Sequence, residues 1–92
     1  MFVLAIHHRV EDYERWKSVF DEFPPREGGA VFHRINRLVD DANTIAVVSG
    51  FLTADGAYAF VNNPDLGAAM QRAGVDGVPR IELYEEIEAV EY

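Results

Sequence analysis

Three histidines are the residues of this sequence best suited to proton transfer near neutral pH. His7 and His8 are adjacent in a segment with the pattern of a strand, so their side chains point to opposite faces and cannot both serve one site. His8 shares its face with apolar residues and lies at the strand end, where a cleft could open. We therefore take His8 as a candidate catalytic base. The alternative is an imidazole that is hydrogen-bonded to backbone or water.

His33 is the second candidate catalytic residue, and it lies in another predicted strand. It shares a strand face with Ile35 and Arg37. An imidazole and a guanidinium side by side can bind a carboxylate or a phenolate. The alternative is an ordinary solvated edge of the sheet.

Aromatic residues with one polar group are candidates for binding a substrate. Such side chains suit an apolar pocket between helices and sheet, because each has an apolar body and a polar end. The predicted substrate-binding residues are Tyr13, Trp16, Tyr58 and Tyr84, together with Arg37, and Phe60 is a further pocket aromatic. The alternative is that these aromatics only fill the core.

Glu85 lies among apolar residues of the last predicted strand. If it were buried, its pKa would rise and it would be a candidate acid or base. The alternative is a bulge that turns the side chain outward. No spacing typical of a zinc site occurs, no glycine pattern typical of phosphate binding occurs, and no serine nucleophile motif occurs. We therefore predict no metal and no cofactor.

Length and composition predict one domain over residues 1–92. Nearly half of the residues are hydrophobic (49%), which is typical of a folded chain. The net charge of −8 argues against nucleic acid and anionic membranes as partners. There is no cysteine, no apolar run long enough to span a membrane and no basic leader. These features predict a cytoplasmic protein.

The hydrophobic pattern predicts four strands and three helical segments. Apolar residues recur at spacings of three and four after Asp12, which predicts a helix with Asp12 as its N-cap. Thr53 and Asn63 are the predicted caps of two further helices, the last ended by Gly74. The predicted bounds are Phe2–His8, Ala30–Val39, Thr44–Leu52 and about Arg80–Val90 for the strands, and Asp12–Phe23 for the first helix, with a turn at Asp40–Asn43 and another at Gly77–Pro79.

The order β-α-β-β-α-β predicts an α+β, ferredoxin-like antiparallel sheet with its helices on one face. The first and third strands are apolar on both faces, with Val3 and Ala5 opposite the core residues of the first strand and Ala46 and Val48 opposite those of the third. The helices can cover only one face. We therefore predict a homodimer in which two sheets pack face to face as a dimeric α/β barrel. The alternative is a monomer with an apolar open face.

The stretch Val10–Lys17, followed by Phe20 and Asp21, resembles the opening of small dimeric α/β-barrel proteins of the antibiotic biosynthesis monooxygenase-like superfamily. The later residues Asn63–Leu66, Ala69, Met70, Ala73–Val75, Gly77 and Pro79 extend this resemblance to uncharacterised bacterial cyclase- or monooxygenase-like members. The resemblance implies a ferredoxin-like dimer. It also covers haem-degrading enzymes, which bind iron through a helix histidine. No predicted helix here contains a histidine, so that role is not carried over.

Two functions follow from these observations, and the sequence leaves open whether the protein is an enzyme. The first is a homodimeric protein that binds a small apolar or aromatic molecule without established catalysis. The second is a cofactor-independent monooxygenase or polyketide cyclase that acts on a small aromatic substrate. An open pocket of about 300 Å³ or more between helices and sheet is expected for the second function.

Overall fold

The computed structural model describes all residues from Met1 to Tyr92 and confirms the ferredoxin-like α+β fold. All neighbouring strands are antiparallel, and the strand order in the single sheet is β2-β3-β1-β4. None of the helices has the length and apolar character that a membrane span requires. The elements are β1 (Phe2–Val10), α1 (Tyr13–Glu22), a 3-10 turn (Pro25–Gly28), β2 (Phe32–Leu38), β3 (Asp41–Phe51), α2 (Ala54–Val61), α3 (Pro64–Arg72) and β4 (Val75–Glu85).

Each α-helix begins at the side-chain cap that the sequence predicts. The side-chain oxygens of Asp12, Thr53 and Asn63 accept a hydrogen bond from a backbone N–H of the first turn, at 3.1, 3.0 and 2.9 Å respectively. These bonds satisfy donors that a helix cannot pair internally. The caps therefore fix where the helix layer starts after each strand.

The core lies between the three helices and one face of the sheet. Leu4, Ile6 and Val10 of β1 point into it, and Ile45 and Phe51 of β3 join them from the neighbouring strand. Because side chains alternate along a strand, His8 falls on this same face and His7 falls on the other. The predicted separation of the two histidines is confirmed.

The opposite face of the sheet carries no helix. Val3 and Ala5 of β1 lie beside Val48 and Gly50 of β3, and these residues form the centre of the open face. The ring of Phe32 lies on Gly50, where any Cβ would collide with it. The apolar character that the sequence predicts for both faces of the central strands is therefore present.

The predicted bounds of two segments are wrong. The β2–β3 turn is the pair Val39–Asp40, and β3 already begins at Asp41. The last strand begins at Val75 and ends at Glu85, and residues 86–92 have no helix or strand. Gly77, Val78 and Pro79 lie within β4, where the register with β1 shifts. Proline has no N–H to donate to a neighbouring strand, and a bulge on an edge strand tolerates this. The local sequence cannot distinguish such a bulge from a turn.

The side chain of Glu85 is exposed, as its outward-facing alternative predicts, although the register with β1 is regular at this position. Glu85 pairs with Phe2, the first residue of β1. The next backbone N–H, of Glu86, donates to the carbonyl oxygen of Met1 at 3.0 Å. The chain thus contacts the residue before β1 at Glu86, and residues 86–92 are exposed.

Candidate functional site

A small cavity lies between the sheet and helices α1 and α3. Besides Trp16, which has an indole N–H, His8 and Ser49 are the only lining residues with polar side chains. Trp16, Phe20 and Phe23 form the α1 side, and α2 and α3 close the cavity with other apolar groups. The lining residues are Ile6, His8, Trp16, Val19, Phe20, Phe23, Pro25, Val47, Ser49, Phe60, Leu66, Ala69, Met70 and Ala73.

His8 is buried in this cavity without a hydrogen-bond partner. Its exposed fraction is 7%, and neither Nδ1 nor Nε2 contacts a protein donor or acceptor. The nearest ring is that of Trp16, whose centroid lies 5.4 Å away and tilted by 46°. More than nine in ten buried polar groups in folded proteins are hydrogen-bonded, so a free imidazole here requires an explanation.

Burial, and to a smaller degree the nearby His7, lowers the pKa of His8 to about 4. The apolar surroundings disfavour the charged imidazolium and leave the neutral ring. At pH 7 the side chain therefore offers one N–H donor and one nitrogen acceptor to the cavity. It can accept a proton from a bound acid group only if the resulting anion stays beside the imidazolium.

The cavity has a volume of about 50 Å³, enough for a few water molecules. It is well below the roughly 300 Å³ expected of a pocket for a small-molecule ligand. The pocket that the monooxygenase function is expected to need is therefore not open in this conformation. An aromatic ligand can enter only if side chains in the helix layer move.

The structure places His33 and Arg37 on the helix-facing side of β2, at the edge of the sheet. The ring of His33 meets the edge of Phe20, with 5.1 Å between centroids. The guanidinium of Arg37 lies 4.7 Å from the ring centre of Tyr13, in a cation–π contact. His33 is exposed and does not line the cavity; it is separated from it by Phe20.

The predicted substrate-binding residues separate into two groups. Trp16 lines the cavity with an exposed fraction of 3%, and Tyr13 packs behind it at 5.8 Å between ring centroids. Tyr58 and Tyr84 are half exposed, at 54% and 50%. Tyr84 pairs in register with Val3 and so lies on the open face of the sheet. Neither Tyr58 nor Tyr84 lines this cavity, so their expected position in a pocket between helices and sheet is corrected, whereas a role in substrate binding stays a prediction.

Several lining residues are not among the site residues that the sequence predicts. In the sequence, Phe20 and Met70 belong only to the residues that carry the family resemblance, and Ser49 belongs to no nucleophile motif. The strand pattern held one usable signal. Ser49 interrupts the apolar side of β3 between Val47 and Phe51, so it had to face the core.

No three side chains of the types that bind metals come together in the structure. No protein-family model matches the chain, and no curated protein matches its sequence. Solved structures do match along nearly its whole length, and they define its class by fold. These are small ferredoxin-like proteins described as antibiotic biosynthesis monooxygenases or oxygenases.

Three of these structures show the extent of the likeness. SnoaB, a cofactor-independent oxygenase from Streptomyces nogalater, has a TM-score of 0.76 at 13% identity, covering 99% of this chain and 97% of its own. A proposed antibiotic biosynthesis monooxygenase from Deinococcus radiodurans has 0.74 at 11%, covering 100% and 98%. Another from Caulobacter crescentus has 0.75 at 16%, covering 95% and 90%. At these identities the likeness establishes the fold.

Proposed function

We propose that the protein binds a small aromatic molecule with a hydroxyl group in the cavity beneath its helices. The observation that carries this proposal is the unpartnered imidazole of His8 in an otherwise apolar space. A phenolic hydroxyl can donate to the free ring nitrogen or accept from the ring N–H. The aromatic body of the ligand would stack on the rings of Trp16 and Phe60.

Binding requires that the cavity enlarge, and its lining contains groups that can move. Met70 is half-buried, and a methionine adapts its shape more easily than branched residues do. Phe20 and Phe23 are also only half-buried and lie at the margin of the helix layer. We therefore expect the ligand to displace side chains on α1 and α3 while the sheet stays in place.

Calorimetric titration with 2-naphthol at pH 7 tests the proposal, with 2-methoxynaphthalene as a ligand that lacks the donor. We expect 2-naphthol to bind more tightly than its methyl ether, by about tenfold, from one hydrogen bond. His8→Leu should remove that difference. His7→Leu, which alters the neighbouring residue on the opposite face, should keep it. Equal binding of the two ligands by the unaltered protein would refute the role of His8.

Cofactor-independent oxygenation is the second candidate function. It is favoured by the neutral buried imidazole, and by SnoaB, a cofactor-independent oxygenase with this fold. His8 would take a proton from an anthrone-type substrate, and the resulting anion would supply electrons to O₂. The CH₂ group and O₂ become C=O and H₂O, so one oxygen atom enters the product and the other leaves as water.

Oxygen uptake with anthrone distinguishes binding from oxygenation. An oxygenase should consume one O₂ per anthrone at a rate above the uncatalysed reaction, and His8→Leu should abolish the excess while His7→Leu keeps it. Tight binding of 2-naphthol without oxygen uptake would support the binding function and refute oxygenation.

We infer in addition that a second copy of the chain covers the open face of the sheet, as a dimeric α/β barrel. Val3, Ala5, Ala46 and Val48 supply a continuous apolar strip on β1 and β3 that no helix covers. Apolar strips of this kind on a sheet usually mark an interface. Sedimentation equilibrium at micromolar concentration should find a dimer, and a well-folded monomer would refute this inference.

A further inference from the structure

A second, larger space lies just outside the cavity. It is an open cleft of about 530 Å³ between the end of α1 and the start of β2. Phe32 and Val31 form its apolar part, and Arg26 and His33 are among its polar residues. Unlike the cavity, the cleft has the size of known small-molecule sites.

The cleft and the cavity share one wall, the side chain of Phe20. On its inner side the ring stacks on Trp16, with 5.1 Å between centroids and 27° between planes. On its outer side it meets the ring of His33. Phe20 is half-buried, so rotation of its side chain has room on the cleft side. That rotation would join the two spaces.

The distribution of ion pairs makes the cleft an exception on an acidic protein. Five of the eight basic residues form ion pairs with carboxylates. The three without one are Arg26, Arg34 and Arg37, and all lie in β2 or in the turn just before it. Arg34 and Arg37 lie over aromatic rings, whereas Arg26 has neither kind of partner.

The one acid in the cleft does not cancel this charge. Asp21 forms an ion pair with Lys17, with 2.6 Å between Nζ and Oδ1. β2 itself contains no acidic residue. The guanidinium of Arg26 is therefore available to an anion from outside, and its planar donors match a carboxylate in pairs.

We propose that the cleft and the cavity are the outer and inner halves of one site, and that Phe20 is the movable wall between them. The ligand is an aromatic hydroxy acid. Its carboxylate binds Arg26, and its hydroxyl reaches the cavity. This inference rests on the proposed function, since the inner half is the cavity of His8. It adds the carboxylate, the residue that recognises it and the route of entry.

Titration with 6-hydroxy-2-naphthoate beside 2-naphthol tests the carboxylate. The acid should bind a few-fold more tightly at low salt, by up to about fivefold, as expected of an ion pair with an exposed guanidinium. Arg26→Gln should remove this advantage and leave 2-naphthol binding unchanged. Arg80→Gln is the control. Arg80 pairs with His7 on the open face of the sheet, away from the cavity, so this variant should still bind the acid more tightly than 2-naphthol.

The outcomes separate the two proposals. If neither compound binds, the proposed function fails. If 2-naphthol binds and the carboxylate confers no advantage, or confers one that Arg26→Gln leaves intact, only this further inference is overturned. Arg26 is exposed, so its replacement does not threaten the fold.

The movable wall has its own test in the rate of association. Energy transfer from Trp16, the only tryptophan, to 2-naphthol reports entry in a stopped-flow experiment. Phe20→Leu should raise the association rate constant several-fold. Phe23→Leu is the control, because Phe23 lines the cavity but not the cleft. An unchanged rate in Phe20→Leu, or an equal rise in both variants, would overturn the role of Phe20.

Discussion

Replacing His8 with leucine should make the protein more stable at pH 7. The imidazole is buried with both nitrogens unpartnered, and a buried polar group without a partner costs about 1–3 kcal/mol. Leucine has similar bulk and no polar atom, so it removes that cost with little strain. We expect the free energy of unfolding to rise by about 1–3 kcal/mol, and the melting temperature by about 4–8 °C for each kcal/mol.

The same substitution should remove part of the sensitivity to acid. The pKa of His8 is about 4 in the folded chain and 6.5 in its ordinary state. Below pH 6.5 the unfolded chain therefore binds a proton that the folded chain does not, and stability falls as the pH falls. The full difference corresponds to about 3 kcal/mol, at roughly 1.4 kcal/mol per pKa unit. About 2 kcal/mol of it is lost between pH 7 and pH 5.

Urea unfolding at pH 7 and pH 5, at one protein concentration, measures both effects. The unaltered chain should lose about 2 kcal/mol more than His8→Leu over this interval. His33→Gln, which changes an exposed histidine, should lose as much as the unaltered chain. If His8→Leu were less stable at pH 7 and equally sensitive to acid, the imidazole would have to be satisfied and our account of the cavity would be wrong.

Three further substitutions, two of them paired with a control variant, test the fold and the assembly. Asp12→Ala should cost about 1 kcal/mol in urea unfolding by removing the cap of α1, whereas Asp12→Asn should stay within a few tenths. Phe60→Ala should cost about 3–5 kcal/mol, because this buried ring packs between Phe51 and Phe23. Val48→Glu on the open face should yield monomers in sedimentation, whereas Val39→Glu in the exposed hairpin turn should not; dimers of Val48→Glu would contradict the proposed interface.

The features predicted correctly from sequence depend on short-range physics. Alternation along a strand separates His7 from His8, and it needs only the two-residue period of a strand. The side-chain caps at Asp12, Thr53 and Asn63 need only the local geometry of a helix start. The element order then limits the topology, because crossovers are right-handed and connections are short.

The features missed depend on residues that are distant in the chain. The bulge in β4 is visible only once β1 supplies the register, and the local sequence of Gly77–Pro79 predicts a turn instead. The positions of Tyr58 and Tyr84 outside the cavity follow from which helix and sheet faces meet. The role of Phe20 arises because its ring meets Trp16 on one side and His33 on the other. Helix periodicity alone cannot indicate a contact with a strand edge.

The chemistry of the cavity and the cleft determines which functional group of the proposed ligand lies in each. The cavity keeps His8 neutral, and an ionised carboxylate placed there would lose its hydration without gaining a cation. A hydroxyl carries no charge and matches both the donor and the acceptor of the imidazole. The unpaired guanidinium of Arg26 in the open cleft offers the opposite conditions, since water and a fixed positive charge both favour a carboxylate there. An aromatic hydroxy acid should therefore bind in one orientation, with its hydroxyl at His8 and its carboxylate at Arg26.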